Sequence, residues 1–204
     1  EVSSEITEPI EMEIETRTLR ATFSNIGGGV RRLVSFMERN GHRDEIILFD
    51  VPPADPSAFA MALPGTAIDL ERLPHQGPSF MPDGKGVEFS YTLPSGLEIS
   101  KKFKVGETES TIRLDVEVKN PTDRPQPFFF ELGSVLQKME PGIKGKPAQM
   151  QSIASYTKIG NEIRRADFSK LKKKGEYQEG QIFWAALGRL YFAVFVKPEE
   201  GTHV

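Results

Sequence analysis

Histidines are the first residues to weigh as carriers of chemistry, because a neutral imidazole can hold a metal or move a proton near neutral pH. There are three: His42 beside a turn, His75 in a proline-rich stretch, and His203 close to the end. None stands in an H-x-H or H-E-x-x-H spacing, so local geometry sets no pair of them to share a metal. Solvated loop positions are the expectation for all three. Ser134 sits in Gly-Ser-Val, not in the G-x-S-x-G of a nucleophile elbow, and the strand-turn-helix setting of that motif is missing. Without cysteine there is no thiolate zinc site and no disulfide framework. The triplet Gly27-Gly28-Gly29 lacks the G-x-G-x-x-G spacing, a following helix and a Lys-Ser/Thr pair, so it reads as a turn and not as a phosphate loop. Carboxylates are plentiful but fall on the polar sides of strand-like stretches. The residue types nominate no catalytic pair, no metal site and no cofactor.

What remains is basic and aromatic. Lys170, Lys172, Lys173 and Lys174 lie in KLKKK and could contact an anionic membrane or an acidic partner, each charge contributing about 1 kcal/mol near anionic lipid. A solvated helix end is the plainer expectation. Lys158 to Lys174 carries seven Lys or Arg against Glu162 and Asp167, whereas the first fifteen residues hold six glutamates and no basic residue. The net charge of -3 gives no global attraction to nucleic acid, and no recognised nucleic-acid motif is present. Phe128 to Phe130, Phe183, Trp184, Tyr191, Phe192 and Phe195 are expected in a core, not on a ligand platform.

The elements that must position these residues are strands. Ile10, Met12 and Ile14 alternate with glutamates, and Leu19, Ala21 and Phe23 repeat the pattern. Ser24 to Gly29 then turns the chain into a third strand, Val30 to Met37, and Asn40-Gly41 signals another hairpin before Ile46 to Phe49. From 51 to 82, seven prolines leave a loop excursion with room for one short strand around Ala58 to Leu63. Val87, Phe89, Tyr91 and Leu93, then Leu97, Ile99, Phe103 and Val105, then Ile112, Leu114, Val116 and Val118 predict three antiparallel strands with one wet face; Lys101 breaks that face. Ala148 to Tyr156 reads as a weak strand. Arg164 to Lys174 reads as a short basic helix closed by Gly175.

Gln181 to Pro198 is the most apolar run, and everything else is expected to be arranged around it. Gly188-Arg189 splits it below the roughly 18 uninterrupted apolar residues of a membrane span. It predicts instead a central hairpin with arms Ile182 to Leu187 and Leu190 to Val196, the second buried on both faces, with Trp184, Tyr191 and Phe192 as packing anchors. The start lacks the basic and apolar regions of a secretory signal, so an export address is expected outside this stretch. The fold class is all-β and antiparallel, one domain over 1–204, with the helix near 164–174 as its exception.

The order of these features resembles the large extracytoplasmic domain of bacterial YidC-type membrane protein insertases. The resemblance is carried by the early strands leading into Asn25-Ile26-Gly27-Gly28-Gly29-Val30, by LPSGLEISKKFKV (Leu93 to Val105) and by TIRLDVEVKNPTDRP (Thr111 to Pro125). Ala154-Ser155-Tyr156 follows, and then a W-x-x-L-x-x-x-Y-F pattern at Trp184, Leu187, Tyr191 and Phe192, closing on Lys197-Pro198. The resemblance implies a β-supersandwich similar to galactose mutarotase-like domains, held between the first and second membrane spans on the periplasmic face of the inner membrane. It implies no enzymatic activity, no cofactor, and contacts with Sec translocon accessory subunits and nascent membrane proteins. It also implies that the chain is an excised domain, short of later C-terminal strands. A carbohydrate-binding or mutarotase-like protein using a sheet cleft is the alternative, because fold similarity does not carry activity with it.

Overall fold

Two-residue alternation turns most of the described residues into antiparallel ladders. The computed structural model describes residues 8–52, 55–63, 68–108, 110–121, 129–130, 154–167, 181–189 and 192–197. Contacts gather the chain into two compact units, Glu1–Gln137 and Lys138–Val204. Along it run β1 (Glu11–Glu15), β2 (Leu19–Ser24), β3 (Gly29–Arg39), β4 (His42–Asp50), β5 (Met61–Ala62), β6 (Gln76–Phe80), β7 (Gly86–Thr92), β8 (Glu98–Val105), β9 (Ile112–Lys119), β10 (Phe129–Phe130), β11 (Ala154–Ile159), β12 (Glu162–Asp167), β13 (Ile182–Arg189) and β14 (Phe192–Val196).

In the first unit β1-β2-β3-β4 and β6-β7-β8-β9 are two four-stranded antiparallel meanders, and β5 pairs with β10. Their turns are the expected ones. Asn40 and Gly41 both have positive φ, 51° and 77°, as a two-residue hairpin loop of the primed type demands. The inward residues of both sheets meet in one core: Leu19, Ala21, Phe23, Val30 and Leu33 from the first face Val87, Phe89, Phe103 and Val105 from the second. Phe103 is its hub, with ring centroids of Phe23, Phe89 and Phe59 at 5.3, 6.0 and 6.2 Å. A second cluster joins Met61, Leu63 and Leu70 to Leu93, Leu97 and Ile99. The proline-rich stretch is therefore not a surface excursion where it is described. It covers one end of the second sheet, and its short strand falls at Met61–Ala62, inside the predicted range.

The second unit holds one antiparallel sheet in the order β12-β11-β13-β14. Here the helix expectation is corrected. Arg164 to Asp167 are strand, paired residue for residue with β11 from Arg164↔Thr157 to Asp167↔Ala154. The reason is the Gly160-Asn161 connection: Gly160 has φ +54° and folds Glu162 onward back against β11, so ladder pairing overrides a weak helical pattern. The rest of the expected helix, 168–174, lies outside the described residues. The hairpin expected in Gln181 to Pro198 is present, but Gly188 and Arg189 belong to β13 and Arg189 pairs with Phe192, which moves the turn two residues on. Ala193 and Phe195 are exposed, so β14 is not buried on both faces. Among the described residues the largest fully buried side chains, Phe23, Phe89, Lys101 and Phe103 among them, are in the first unit and not in this hairpin.

Candidate functional site

A lysine lies in the middle of the larger core. Along β8 the inward positions are Ile99, Lys101, Phe103 and Val105, so alternation alone drives Lys101 into the sandwich, where none of it is exposed. It is tolerated because three carbonyls converge on it. Lys101 Nζ donates to the backbone oxygens of Gly27 at 3.0 Å, Gly28 at 2.9 Å and Phe59 at 2.7 Å. Three ammonium donors meet three acceptors, the condition under which a buried charge is affordable.

The acceptors come from backbone with positive φ. Gly27 and Gly28 have φ of +71° and +53°, which only glycine adopts without steric penalty; Phe59 has φ +67° despite its bulk. At Gly28 close packing adds a second constraint, since a Cβ there would lie 2.9 Å from His75 Nδ1. The surrounding turn is tied in from several sides. Asn25 Oδ1 accepts from the Ile10 amide at 2.8 Å, the Asn25 carbonyl accepts from the His75 amide at 2.8 Å, and Ser57 Oγ donates to the Ile26 carbonyl at 3.0 Å. The Gly27 amide donates to the Leu73 carbonyl at 3.0 Å. Lys101 thereby ties β8 to the glycine turn and to the 51–75 stretch at once.

His75 corrects the expectation of a solvated loop histidine. It is 3% exposed, its ring lies 5.2 Å from that of Tyr91, and neither ring nitrogen has a hydrogen-bond partner. Burial, with the Lys101 charge adding to it, pushes its pKa down to about 4, and the nearby Leu70 backbone opposes the shift in part. The imidazole is neutral at pH 7. Burial also pushes the Lys101 ammonium down to about 7, while its three carbonyl partners favour the charged form.

Chemically this cluster is a fastening, with every Lys101 donor committed and both His75 nitrogens sealed. The signal that could have found it was one charged residue at an inward position of a strictly alternating strand, which must be paired if the strand is real. His42 is exposed at the start of β4. His203, Ser134, Tyr191, Lys170, Lys172, Lys173 and Lys174 lie outside the described residues. Trp184, in β13, is half-buried and not a buried anchor; its ring meets Phe195 at 5.7 Å, and Phe192 opens β14. Among the described residues no three His, Cys, Asp or Glu side chains gather as a metal site, and no helix is long and apolar enough to cross a membrane. No protein-family model matches the sequence, and no curated protein matches it.

Proposed function

We propose that this chain is a periplasmic accessory domain of a bacterial YidC-type membrane protein insertase, serving as an interaction and scaffolding module without a catalytic role. One observation carries the reading. Two of the stretches that bear the resemblance, the Asn25 to Val30 turn and the Leu93 to Val105 block, are distant in sequence, yet Lys101 of the second holds the carbonyls of Gly27 and Gly28 in the first, 74 and 73 positions away. These two stretches are therefore parts of one folded unit. The all-β antiparallel architecture is consistent with it. Insertion chemistry in that family belongs to a membrane-embedded core, and this domain works beside it through contacts with Sec accessory subunits and emerging membrane proteins.

Deleting the domain from a reconstituted insertase is the test. Most insertion activity is expected to survive, with reduced cross-linking to Sec accessory subunits. A loss as large as that from disabling the membrane core would overturn the accessory role. An anomer-interconversion assay on the isolated chain addresses the mutarotase-like alternative, which needs a histidine and a carboxylate open to the same sugar ring; His75 is sealed in the present arrangement.

A further inference from the structure

One face of the sheet in the second unit follows from its register. Ile163 is opposite Lys158 and Lys158 opposite Trp184; Arg165 is opposite Tyr156, Tyr156 opposite Ala186, and Ala186 opposite Phe195. Directly paired residues share a face, so three aromatic rings, an isoleucine and two cations lie on one side. The contacts agree. Trp184 and Phe195 meet edge to face, with centroids 5.7 Å apart, and the Arg165 guanidinium is 6.0 Å from the Tyr156 ring centroid. Pairing jumps from Lys158↔Trp184 to Ile159↔Ile182, leaving Phe183 as a bulge residue, and bulges re-aim side chains. The Lys158 ammonium accordingly lies 5.8 Å from the Phe183 ring.

The large apolar side chains of this face are open while the small ones between them are buried: Phe195 is 64% exposed, Ile163 62% and Phe183 43%, against 2% for Ala154 and 5% for Ala186. The carboxylate that shares it among the described residues, Asp167, is occupied by Arg165 at 3.0 Å. Charge along the chain points the same way: residues 138–204 hold twelve Lys or Arg against seven Asp or Glu, whereas residues 1–137 hold fourteen against twenty-two. Rings that carry a polar tip, as Tyr156 and Trp184 do, beside long cations that can extend past them form the side-chain set favoured where hydrocarbon meets headgroups.

We propose that the face made by Tyr156, Lys158, Ile163, Arg165, Trp184 and Phe195 docks on a bilayer surface rich in anionic headgroups. The rings enter the headgroup boundary, and the two cations stay among the phosphates. The inference stands on this face and does not require the insertase reading. Sugars also stack on rings, but they are oriented by convergent polar groups within a concavity. Single-stranded nucleic acid gains from stacking but nothing from exposed aliphatic side chains such as Ile163, whereas a lipid boundary gains from both.

Flotation of the chain with phosphatidylcholine vesicles, with and without phosphatidylglycerol, tests this, and Trp184, the only tryptophan, reports insertion by its emission. Binding is expected only with phosphatidylglycerol, weakened by salt and accompanied by a blue shift of Trp184. Phe195→Ser should lower affinity about tenfold and Lys158→Glu about fivefold or more, with melting unchanged. If Phe195→Ser fails to fold, Ile163→Ser carries the same test. Absence of vesicle binding, binding without a Trp184 shift, or affinity indifferent to these substitutions would overturn the proposal. Capture of a glycan or a single-stranded oligonucleotide by this face without vesicle binding would do the same.

Discussion

Lys101 and Lys158 both stand on β-strands among aromatic neighbours, and the two regions use them in opposite ways. Lys101 is sealed between two sheets and spends every donor on backbone carbonyls. Lys158 sits on a single sheet beside a ring and is only partly covered. The difference is the second layer. Where a facing sheet removes water, a charge survives only if the backbone supplies acceptors; where no facing layer is described, the same residue type keeps its hydration and is free for an outside partner. The first region should be sensitive to small internal changes and the second indifferent to them.

The largest expected effect tests the hub of the layered region: Phe103→Ala should lower unfolding free energy by about 3 to 5 kcal/mol, measured by denaturant titration. Next, Lys101→Met keeps the bulk but strands the Gly27, Gly28 and Phe59 carbonyls, for about 3 kcal/mol. Lys158→Met in the open sheet should stay within about 0.5 kcal/mol, and equal losses at the two positions would erase the contrast. Acid gives a third handle. His75 titrates near 4 in the folded chain and near 6.5 when unfolded, so the unfolded chain binds the extra proton between those values. Stability present above pH 6.5 is therefore lost as pH falls toward 4, by up to about 3 kcal/mol, and levels off below. His75→Phe should flatten that part of the stability profile. Trp184→Ala falls between the two lysine substitutions. Half-burial reduces its cost to about 2 kcal/mol, and a loss equal to that of Phe103→Ala would show a second packed core around Trp184.

Much of the architecture was legible from local pattern. Alternation at Val87 to Leu93 and Ile112 to Val118, with Pro94-Ser95-Gly96 and Asn40-Gly41 as turns, placed strands and hairpins correctly because each depends on neighbours a few residues away. Gly96, with φ +86°, closes its turn through a 2.8 Å bond from its amide to the Leu93 carbonyl. The misreadings have the opposite character. Ala166, Phe168 and Leu171 suggest a helical spacing over 164–174, but at 164–167 β11 offers a complete ladder and wins. His75 looked solvated because proline-rich flanks suggest a surface loop, yet its amide bonds Asn25, fifty residues earlier, and its ring is held against Gly28.

By itself the sequence determined which stretches extend, where the chain reverses, and which side of each strand is apolar, since those follow from side-chain period and the backbone freedom of glycine and asparagine. It also announced one anomaly, a lysine at an inward position. Only the tertiary structure decided what that lysine does. The acceptors for Lys101 are carbonyls, which every residue carries and no sequence distinguishes, and they become a site only when the glycine turn and the Phe59 backbone converge on β8. The open face of Trp184 and Phe195 was decided in the same way, because an apolar run records a tendency to leave water and not whether another layer is present to receive it.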